Sequence, residues 1–169
     1  KSDSLSSEDL NEDMEDANFA SFKKEFSILI VDDEEENRSL LEKNLIRSGY
    51  QTISSAANVA EAKALIFSTQ IDLVLLDINM PGMNGMEFLE ELNDDIANLK
   101  LMVVMVTGED TIENAIKSIR LGAEDFLNKP IDIAMLQVRV GACLKKKWFF
   151  VKESQYAEYL EIERKRYEN

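Results

Sequence analysis

The sequence of 169 residues contains no histidine and only one cysteine, Cys143. Without histidine, the chain cannot provide Ser-His-Asp or Cys-His catalysis, the common zinc ligands, or a phosphohistidine of its own. A single cysteine excludes an intrachain disulfide and a cysteine cluster for metal. The reactive chemistry that remains in this chain is that of carboxylates.

Basic residues are also scarce, since 19 Lys and Arg stand against 33 Asp and Glu and the net charge is -14. A surface of this sign repels nucleic-acid phosphates, so we expect no direct nucleic-acid binding. No apolar run approaches the roughly 20 residues that span a bilayer, and the acidic N-terminus is unlike a signal peptide. We therefore expect a cytoplasmic protein without membrane association, and its 45% hydrophobic content suffices for one main domain.

The charge is uneven along the chain, with a net charge of -5 over residues 1–25, -11 over 26–144 and +2 over 145–169. This division predicts a flexible acidic linker, a compact domain and a mixed-charge helix. An alternative for the first segment is a short docking helix with Leu10, Met14 and Phe22 on one face. The chain begins with Lys1 and stops within a predicted helix, so we expect it to be a piece of a longer protein.

Short apolar runs alternate with amphipathic segments from residue 26 onward. The runs predict strands and are FSILIV (26–31), YQTISSA (50–56), IDLVLL (71–76), LMVVMV (101–106) and DFLN (125–128). Helices are predicted over 35–48, 59–68, 86–93 and 111–121, and a last one, capped by Asp132, extends toward the C-terminus. Five strand-helix units in strict alternation predict an α/β fold with a doubly wound, five-stranded parallel sheet and helices on both faces.

Five polar residues follow the carboxyl ends of the predicted strands: Asp32, Asp33, Asp77, Thr107 and Lys129. Ligands of a doubly wound sheet bind at this edge, so we expect the five side chains to converge there. Singly, an acid at a strand end is explained by a helix cap and a Lys-Pro pair by a turn. All five at one edge of one sheet favour a functional site.

The segments ILIVDD, LVLLDINMPGMNG, MVTG and FLNKP occur in the order and approximate spacing of a known family. Over residues 26–144 the sequence resembles the receiver domain of bacterial response regulators, whose strand order is 2-1-3-4-5. The resemblance implies that Asp77 accepts a phosphoryl group from a histidine kinase or a phosphotransfer protein, with Mg²⁺ required. It also implies that the domain catalyses its own phosphorylation and dephosphorylation, without a dedicated enzyme domain.

The family roles agree with the chemistry of the matching residues. Three adjacent carboxylates repel one another by about 3 kcal/mol per pair at roughly 5 Å and an effective dielectric near 20, so they favour a hard divalent cation. The expected Mg²⁺ ligands are Asp32, Asp33, Asp77 and the backbone carbonyl of Asn79. The expected phosphate-binding groups are Thr107, Gly108 and Lys129.

The loops around this edge carry further expectations. We expect Pro81 and Gly82 to lead the chain away from Asp77, and Gly85 to adopt a backbone angle that other residues resist. The family has a cis bond before the proline that follows its lysine, here Pro130. It also has a switch aromatic three residues before that lysine, here Phe126, which would act with Thr107. Asn79 and Glu109 occupy the two positions that flank the approach of water in the family.

Two other functions compete with that of a phosphorylated receiver. One is a receiver-like protein-interaction module without phosphorylation, which the presence of all five site residues disfavours. The other is a phosphatase of the haloacid dehalogenase type. That family requires an Asp two residues after its nucleophile, where this chain has Asn79, and places its acid pair last, so we reject it.

The segment after residue 144 lacks proline and glycine, and it predicts a signalling helix that leads to an output domain outside this sequence. We expect this helix to form a parallel homodimer. One stripe follows coiled-coil spacing and contains Leu144, Trp148, Val151, Gln155 and Ile162. A rival stripe on another face contains Phe149, Tyr156, Leu160 and Tyr167.

Overall fold

Five parallel strands form a single sheet in the computed structural model, which describes residues 7–108 and 112–168, with side chains from residue 15 onward. The strands are β1 (Ser27–Val31), β2 (Thr52–Ala56), β3 (Leu73–Asp77), β4 (Met102–Thr107) and β5 (Asp125–Asn128). Their order is β2-β1-β3-β4-β5, and every neighbouring pair is parallel. The predicted fold class and strand order are confirmed.

Seven α-helices are described: α1 (Ser7–Phe22), α2 (Glu35–Arg47), α3 (Val59–Ser68), α4 (Gly85–Glu91), α5 (Asn93–Leu99), α6 (Ile112–Arg120) and α7 (Ile133–Tyr167). The predicted third helix over 86–93 corresponds to α4, and α5 follows it after the single residue Leu92. The predicted start of the next helix at Thr111 lies outside the described residues. None of the described helices is long and apolar enough to cross a bilayer.

Local sequence signals set several helix ends. Asn58 caps α3 by accepting a hydrogen bond from the backbone N–H of Glu61, at 2.9 Å. Asp132 caps α7 in the same way with the N–H of Ala134, at 2.8 Å. Gly49 ends α2 with a φ of +102°, a conformation that side chains with a Cβ rarely adopt. The cap that the sequence predicts at Asp132 is confirmed.

The core lies on both faces of the sheet, which explains the nearly continuous apolar runs of the central strands. On one face, α3 and α4 cover alternate residues of the strands, among them Leu29, Val74 and Val103. On the other face, α2 and α7 cover residues such as Ile30 and Leu75. Strand β3 is buried along its whole length, so its last residue, Asp77, is held in a fixed position.

The N-terminal segment differs from the acidic linker that the sequence predicts, because α1 is helical and rests on the domain. Phe19 is buried, with its ring 6.2 Å from the ring of Trp148 on α7. Phe22, one residue of the alternative docking face, lies 6.0 Å from the same ring. The side chains of Leu10 and Met14, the other two, lie outside the described part.

Helix α7 is one continuous helix of 35 residues with two different environments. In its first half, five side chains are buried against the domain: Leu136, Val140, Cys143, Leu144 and Trp148. Beyond Val151 its apolar side chains are exposed to solvent, including Tyr156 and Leu160. The helix therefore begins as part of the core and continues away from it.

Candidate functional site

The carboxyl edge of the sheet holds a cluster of three acids. Asp77 ends β3, and Asp32 follows β1, whose last residue is paired in register with Leu76. Ligand oxygens of Asp32, Asp33 and Asp77 all lie within 4.8 Å of one another. Asp32 and Asp77 are buried, whereas Asp33 is exposed. The strand geometry thus brings together the three acids that the sequence predicts at one site.

Lys129 supplies the positive charge of the site. Its Nζ lies 3.2 Å from Asp77 Oδ2 and 3.3 Å from Asp32 Oδ2. Burial alone lowers the pKa of Lys129, but the negative charges of Asp77 and Asp32 outweigh this effect and raise the pKa above its ordinary value. The lysine is therefore held in its charged form between two acids.

Opposing effects act on the pKa of Asp77. Burial raises the pKa, and so does the nearby charge of Asp32. Lys129 and the backbone N–H of Asn79, which donates to Asp77 Oδ1 at 3.2 Å, lower it. The net pKa is raised above the ordinary value, because desolvation and the neighbouring acid together dominate. A cation placed among these oxygens would relieve both unfavourable effects.

Backbone contacts place Lys129 and Thr107 at the same edge. Thr107 is the buried last residue of β4, and its carbonyl accepts a hydrogen bond from the backbone N–H of Lys129 at 2.7 Å. The Lys129–Pro130 peptide bond is cis, as the family resemblance implied. Gly108 follows Thr107, and a Cβ built there would lie 4.0 Å from the Cβ of Lys129. All the predicted phosphate-binding residues therefore lie next to one another.

The loop after Asp77 shows why one glycine is required, and the reason differs from the predicted one. Gly85 does not have a positive φ, so the expected unusual backbone angle is wrong. Its backbone N–H instead donates to the carbonyl of Ile78 at 2.9 Å. A Cβ at Gly85 would lie 2.1 Å from the carbonyl oxygen of Asp77. The helix start at Gly85 is thus packed directly against the backbone of the acid.

Two residues that contact the strands carrying the site acids are not predicted from the sequence. The Arg38 guanidinium donates to the carbonyl oxygen of Asp32 at 2.8 Å and so ties the start of α2 to the acidic cluster. Asp72 lies at the opposite end of β3, where its carboxylate pairs with Lys147. The sequence did carry a signal for Asp72, because it is the one acid that interrupts the apolar run before Asp77.

The predicted switch aromatic, Phe126, is partly buried against the core. The guanidinium carbon of Arg139 lies 5.5 Å from the centre of its ring, and Arg139 also pairs with Asp125. Asn79 is exposed, and its backbone N–H donates to Asp77. Glu109 lies outside the described residues.

The donor set at this edge fits a magnesium ion. Magnesium prefers oxygen ligands and is commonly bound through one or two carboxylates together with waters and phosphate oxygens. The three clustered acids provide such oxygens, and the exposed side of Asp33 leaves the cluster open to solvent. The same opening would admit a phosphoryl group to Asp77.

Comparison with known proteins places the chain in a family. The family model of the response regulator receiver domain matches residues 28–141. Response regulator PleD of Caulobacter vibrioides is 39% identical over 120 residues, which cover 71% of this chain and 26% of PleD. The phosphate regulon transcriptional regulatory protein PhoB of Pseudomonas aeruginosa is 33% identical over 120 residues, which cover 71% of this chain and 52% of PhoB.

Solved receiver structures have the same fold. The receiver domain of the Francisella response regulator 1452 superposes with a TM-score of 0.66 at 26% identity, covering 72% of this chain and 98% of that one. A CheY-like receiver domain protein from Methanospirillum hungatei JF-1 gives a TM-score of 0.65 at 31% identity, covering 72% and 97%. The chain spans about a quarter of PleD and about half of PhoB. Its fold, its site and its matched residues show that the chain belongs to the response regulator receiver domain family.

Proposed function

We propose that this receiver is a phosphoacceptor and that Asp77 receives a phosphoryl group from a histidine kinase or a phosphotransfer protein. The observation that carries the proposal is the environment of Asp77, a buried carboxylate with Lys129 Nζ at 3.2 Å and two further acids within 4.8 Å. An acid that served only to stabilise the fold would not be placed beside two other acids, because repulsion between the carboxylates is unfavourable. A receiver used only for protein interaction would not require this cluster.

The residues assigned to magnesium are Asp32, Asp33, Asp77 and the backbone carbonyl of Asn79. When bound, Mg²⁺ supplies positive charge that offsets the acids and the phosphoryl oxygens. A carboxylate oxygen of Asp77 attacks the phosphorus and forms a P–O bond. The P–N bond of the partner's phosphohistidine breaks, its electron pair stays on the imidazole nitrogen, and the product is an aspartyl phosphate. Lys129 remains beside the new phosphate and stabilises its charge.

The response to phosphate is assigned to Thr107 and Phe126. We expect the Thr107 hydroxyl to hydrogen-bond a phosphate oxygen and the Phe126 ring to pack into the space that Thr107 leaves. Phe126 has no hydroxyl, so any switch at this position acts through packing alone. Asn79 and Glu109 are proposed to tune hydrolysis of the acyl phosphate.

Intact-mass measurement tests the assignment of Asp77. The wild-type chain is incubated with a small phosphodonor such as acetyl phosphate and Mg²⁺, and we expect one phosphoryl group to be added. Asp77→Asn is the matched control, because it keeps the shape of the side chain and removes the nucleophilic carboxylate. Equal incorporation into both proteins would rule out Asp77 as the acceptor. No incorporation into either would favour the interaction module.

The output of the switch is proposed to run through α7. We divide the chain into the N-terminal segment before residue 26, the receiver over 26–144 and a signalling helix over 145–169 that leads to an output domain. Helix α7 runs without a break from the buried Leu136 to the exposed Tyr167. This continuity supports transmission of a change in the receiver along α7 to a following domain.

We further propose that two copies pair through the exposed part of α7. Leu144 and Trp148 of the first predicted stripe are buried within the chain, so this part of the stripe is not accessible to a second copy. The rival stripe is accessible to a second copy, since Tyr156 is 64% exposed and Leu160 is 49% exposed. We call it the open stripe. Apolar side chains repeated at this spacing are typical of a helix that pairs with another helix.

Sedimentation velocity at micromolar concentrations tests this pairing. Leu160→Ser should shift the chain toward monomer, because it removes an apolar side chain from the open stripe. Ile162→Ser is the matched control, since Ile162 is similarly exposed but lies on the first stripe. A wild-type monomer throughout this range would contradict pairing, and an equal effect of both substitutions would contradict the assigned stripe.

A further inference from the structure

Helix α1 precedes the residues that the family model matches, and its apolar contacts with the rest of the chain include several aromatic rings. Phe19 is buried between two rings, with its centre 6.0 Å from that of Phe26 and 6.2 Å from that of Trp148. The ring of Phe22 also lies close to Trp148, with its centre 6.0 Å from that of the indole. We name the four residues Phe19, Phe22, Phe26 and Trp148 the aromatic dock.

Trp148 is the centre of the aromatic dock and marks the place where α7 leaves the domain. The Nζ of Lys152, one turn further along α7, lies 4.5 Å from the centre of the indole ring. Enclosed in this way, Trp148 is only 6% exposed. Most side chains of α7 after Val151 are exposed, so the contacts of Trp148 are among the last that fix the direction of the helix.

Polar contacts hold α1 and the following turn in the same place. Asp16 on α1 forms an ion pair with Lys145 on α7. In the 3-10 turn after α1, Lys23 donates to the carbonyl of Ser48 at 3.1 Å, and its Nζ lies 5.5 Å from the ring of Tyr50. The contacts therefore join α1 both to α7 and to the end of α2.

We propose that α1 is an intramolecular clamp that holds the base of the α7 extension on the receiver. The aromatic dock provides the apolar contact, and Asp16 with Lys145 fixes the orientation of the two helices. When α1 is docked, α7 leaves the domain in one direction. When α1 is displaced, Trp148 becomes exposed and the following turns of α7 are free to bend or fray. This role goes beyond phosphoryl transfer, because no residue of the acidic site takes part in it.

The tryptophan provides a direct measurement, because Trp148 is the only one in the sequence. In the full chain, Phe19→Ser should shift the emission maximum of Trp148 to longer wavelength and increase its quenching by acrylamide. Phe19→Leu should retain most of the wild-type emission, since it keeps an apolar side chain in the dock. Phe67→Ser is the matched control, because Phe67 is an exposed phenylalanine on α3. An unchanged emission in Phe19→Ser would overturn docking through Phe19.

Hydrogen exchange then tests whether docking restrains α7. We expect amides of residues 148–156 to exchange at least tenfold faster in Phe19→Ser than in wild type, while amides of β3 and β4 retain their protection. Protected strands would show that the domain is still folded. Faster exchange in α7 together with a red-shifted emission supports the clamp. A red-shifted emission with unchanged exchange in α7 would overturn it, because α1 would then cover Trp148 without restraining the helix.

Discussion

Lys147 Nζ on α7 lies 2.8 Å from Oδ1 of Asp72, the residue immediately before β3. Both side chains are only 10% exposed, and the second oxygen of Asp72 accepts a hydrogen bond from the backbone N–H of Ser27 at 2.8 Å. Strand β3 thus starts beside one acid-lysine pair and ends at another, that of Asp77 and Lys129. The long helix and the strand that ends at Asp77 are joined directly at the edge opposite the site.

Lys147→Met should destabilise the chain by about 3 kcal/mol, because it leaves the Asp72 carboxylate largely buried without its cation. The matched control is Lys63→Met, which breaks the ion pair of Lys63 with Glu91 on the surface. An exposed pair of that kind contributes at most about 1 kcal/mol. Urea denaturation of the two variants measures the difference. Equal losses of stability would contradict a special role of the Asp72–Lys147 pair.

Gly85→Ala should reduce both stability and phosphorylation. The added Cβ would lie 2.1 Å from the carbonyl oxygen of Asp77, so the backbone of the acid must shift, at a cost of about 1–3 kcal/mol. Gly141→Ala on α7 is the control, since its added Cβ has no described atom within 4 Å apart from its chain neighbours and the backbone of its own helix. That change should stabilise the helix by about 0.5–1 kcal/mol. Denaturation and the rate of phosphorylation by a small donor measure both effects, and a neutral Gly85→Ala would refute the close contact.

Phe126→Tyr should change the rate of phosphorylation by less than about twofold. The Phe126 ring lies against the Arg139 guanidinium rather than among the acids, so a hydroxyl on it does not enter the reaction. Lys129→Met, which removes the cation beside Asp77, should lower the same rate by more than tenfold. A tenfold loss in Phe126→Tyr, equivalent to about 1.4 kcal/mol, would show that the ring takes part in acceptance.

Cys143 should react slowly with thiol reagents. Burial, followed by the charges of Asp125 and Glu124, raises the pKa of this thiol from 9.0 to about 11. Because the thiolate is the reactive form, the raised pKa lowers the reactive fraction at pH 8 by about 100-fold relative to the unfolded chain. Maleimide labelling followed by mass, in buffer and in urea, measures the ratio. Equal rates would mean that the thiol is accessible.

The same pKa has a consequence for stability at high pH. The unfolded thiol releases its proton near pH 9, whereas the folded thiol retains it to about 11. The contribution of Cys143 is therefore fully present below pH 9 and is lost between pH 9 and 11. Cys143→Ala should show a smaller loss of stability across this window. An identical pH dependence of both proteins would argue against the raised pKa.

The sheet and the residues at its carboxyl edge could be predicted because both depend on local patterns. Strands β1, β3 and β4 are apolar runs that have a polar residue at or directly after their carboxyl ends. Parallel strands bring those residues to one edge without any further information. The role of Gly85 could not be predicted in this way. A glycine in a loop indicates either an unusual backbone angle or a close contact, and only the folded chain shows that Asp77 is the neighbour.

Contacts between distant segments were the other features that the sequence did not predict. Phe19 in an acidic segment is a weak signal, because its partner Trp148 lies far along the chain. The stripe with Leu144 and Trp148 has the spacing of a coiled coil, but burial within the chain produces the same pattern. Periodicity identifies an apolar helix face. It does not identify whether the domain, α1 or a second copy covers that face.

The uninterrupted course of α7 makes it a lever arm. The part beyond Trp148 extends for about 28 Å at a rise of about 1.5 Å per residue. Tilting this arm by about 10° about Trp148 would move Tyr167 by about 5 Å, close to the pitch of one α-helical turn. A small tilt of α7 at Trp148, which leaves the packing of Phe19 against Trp148 intact, would thus move the far end of the helix by about one helical turn.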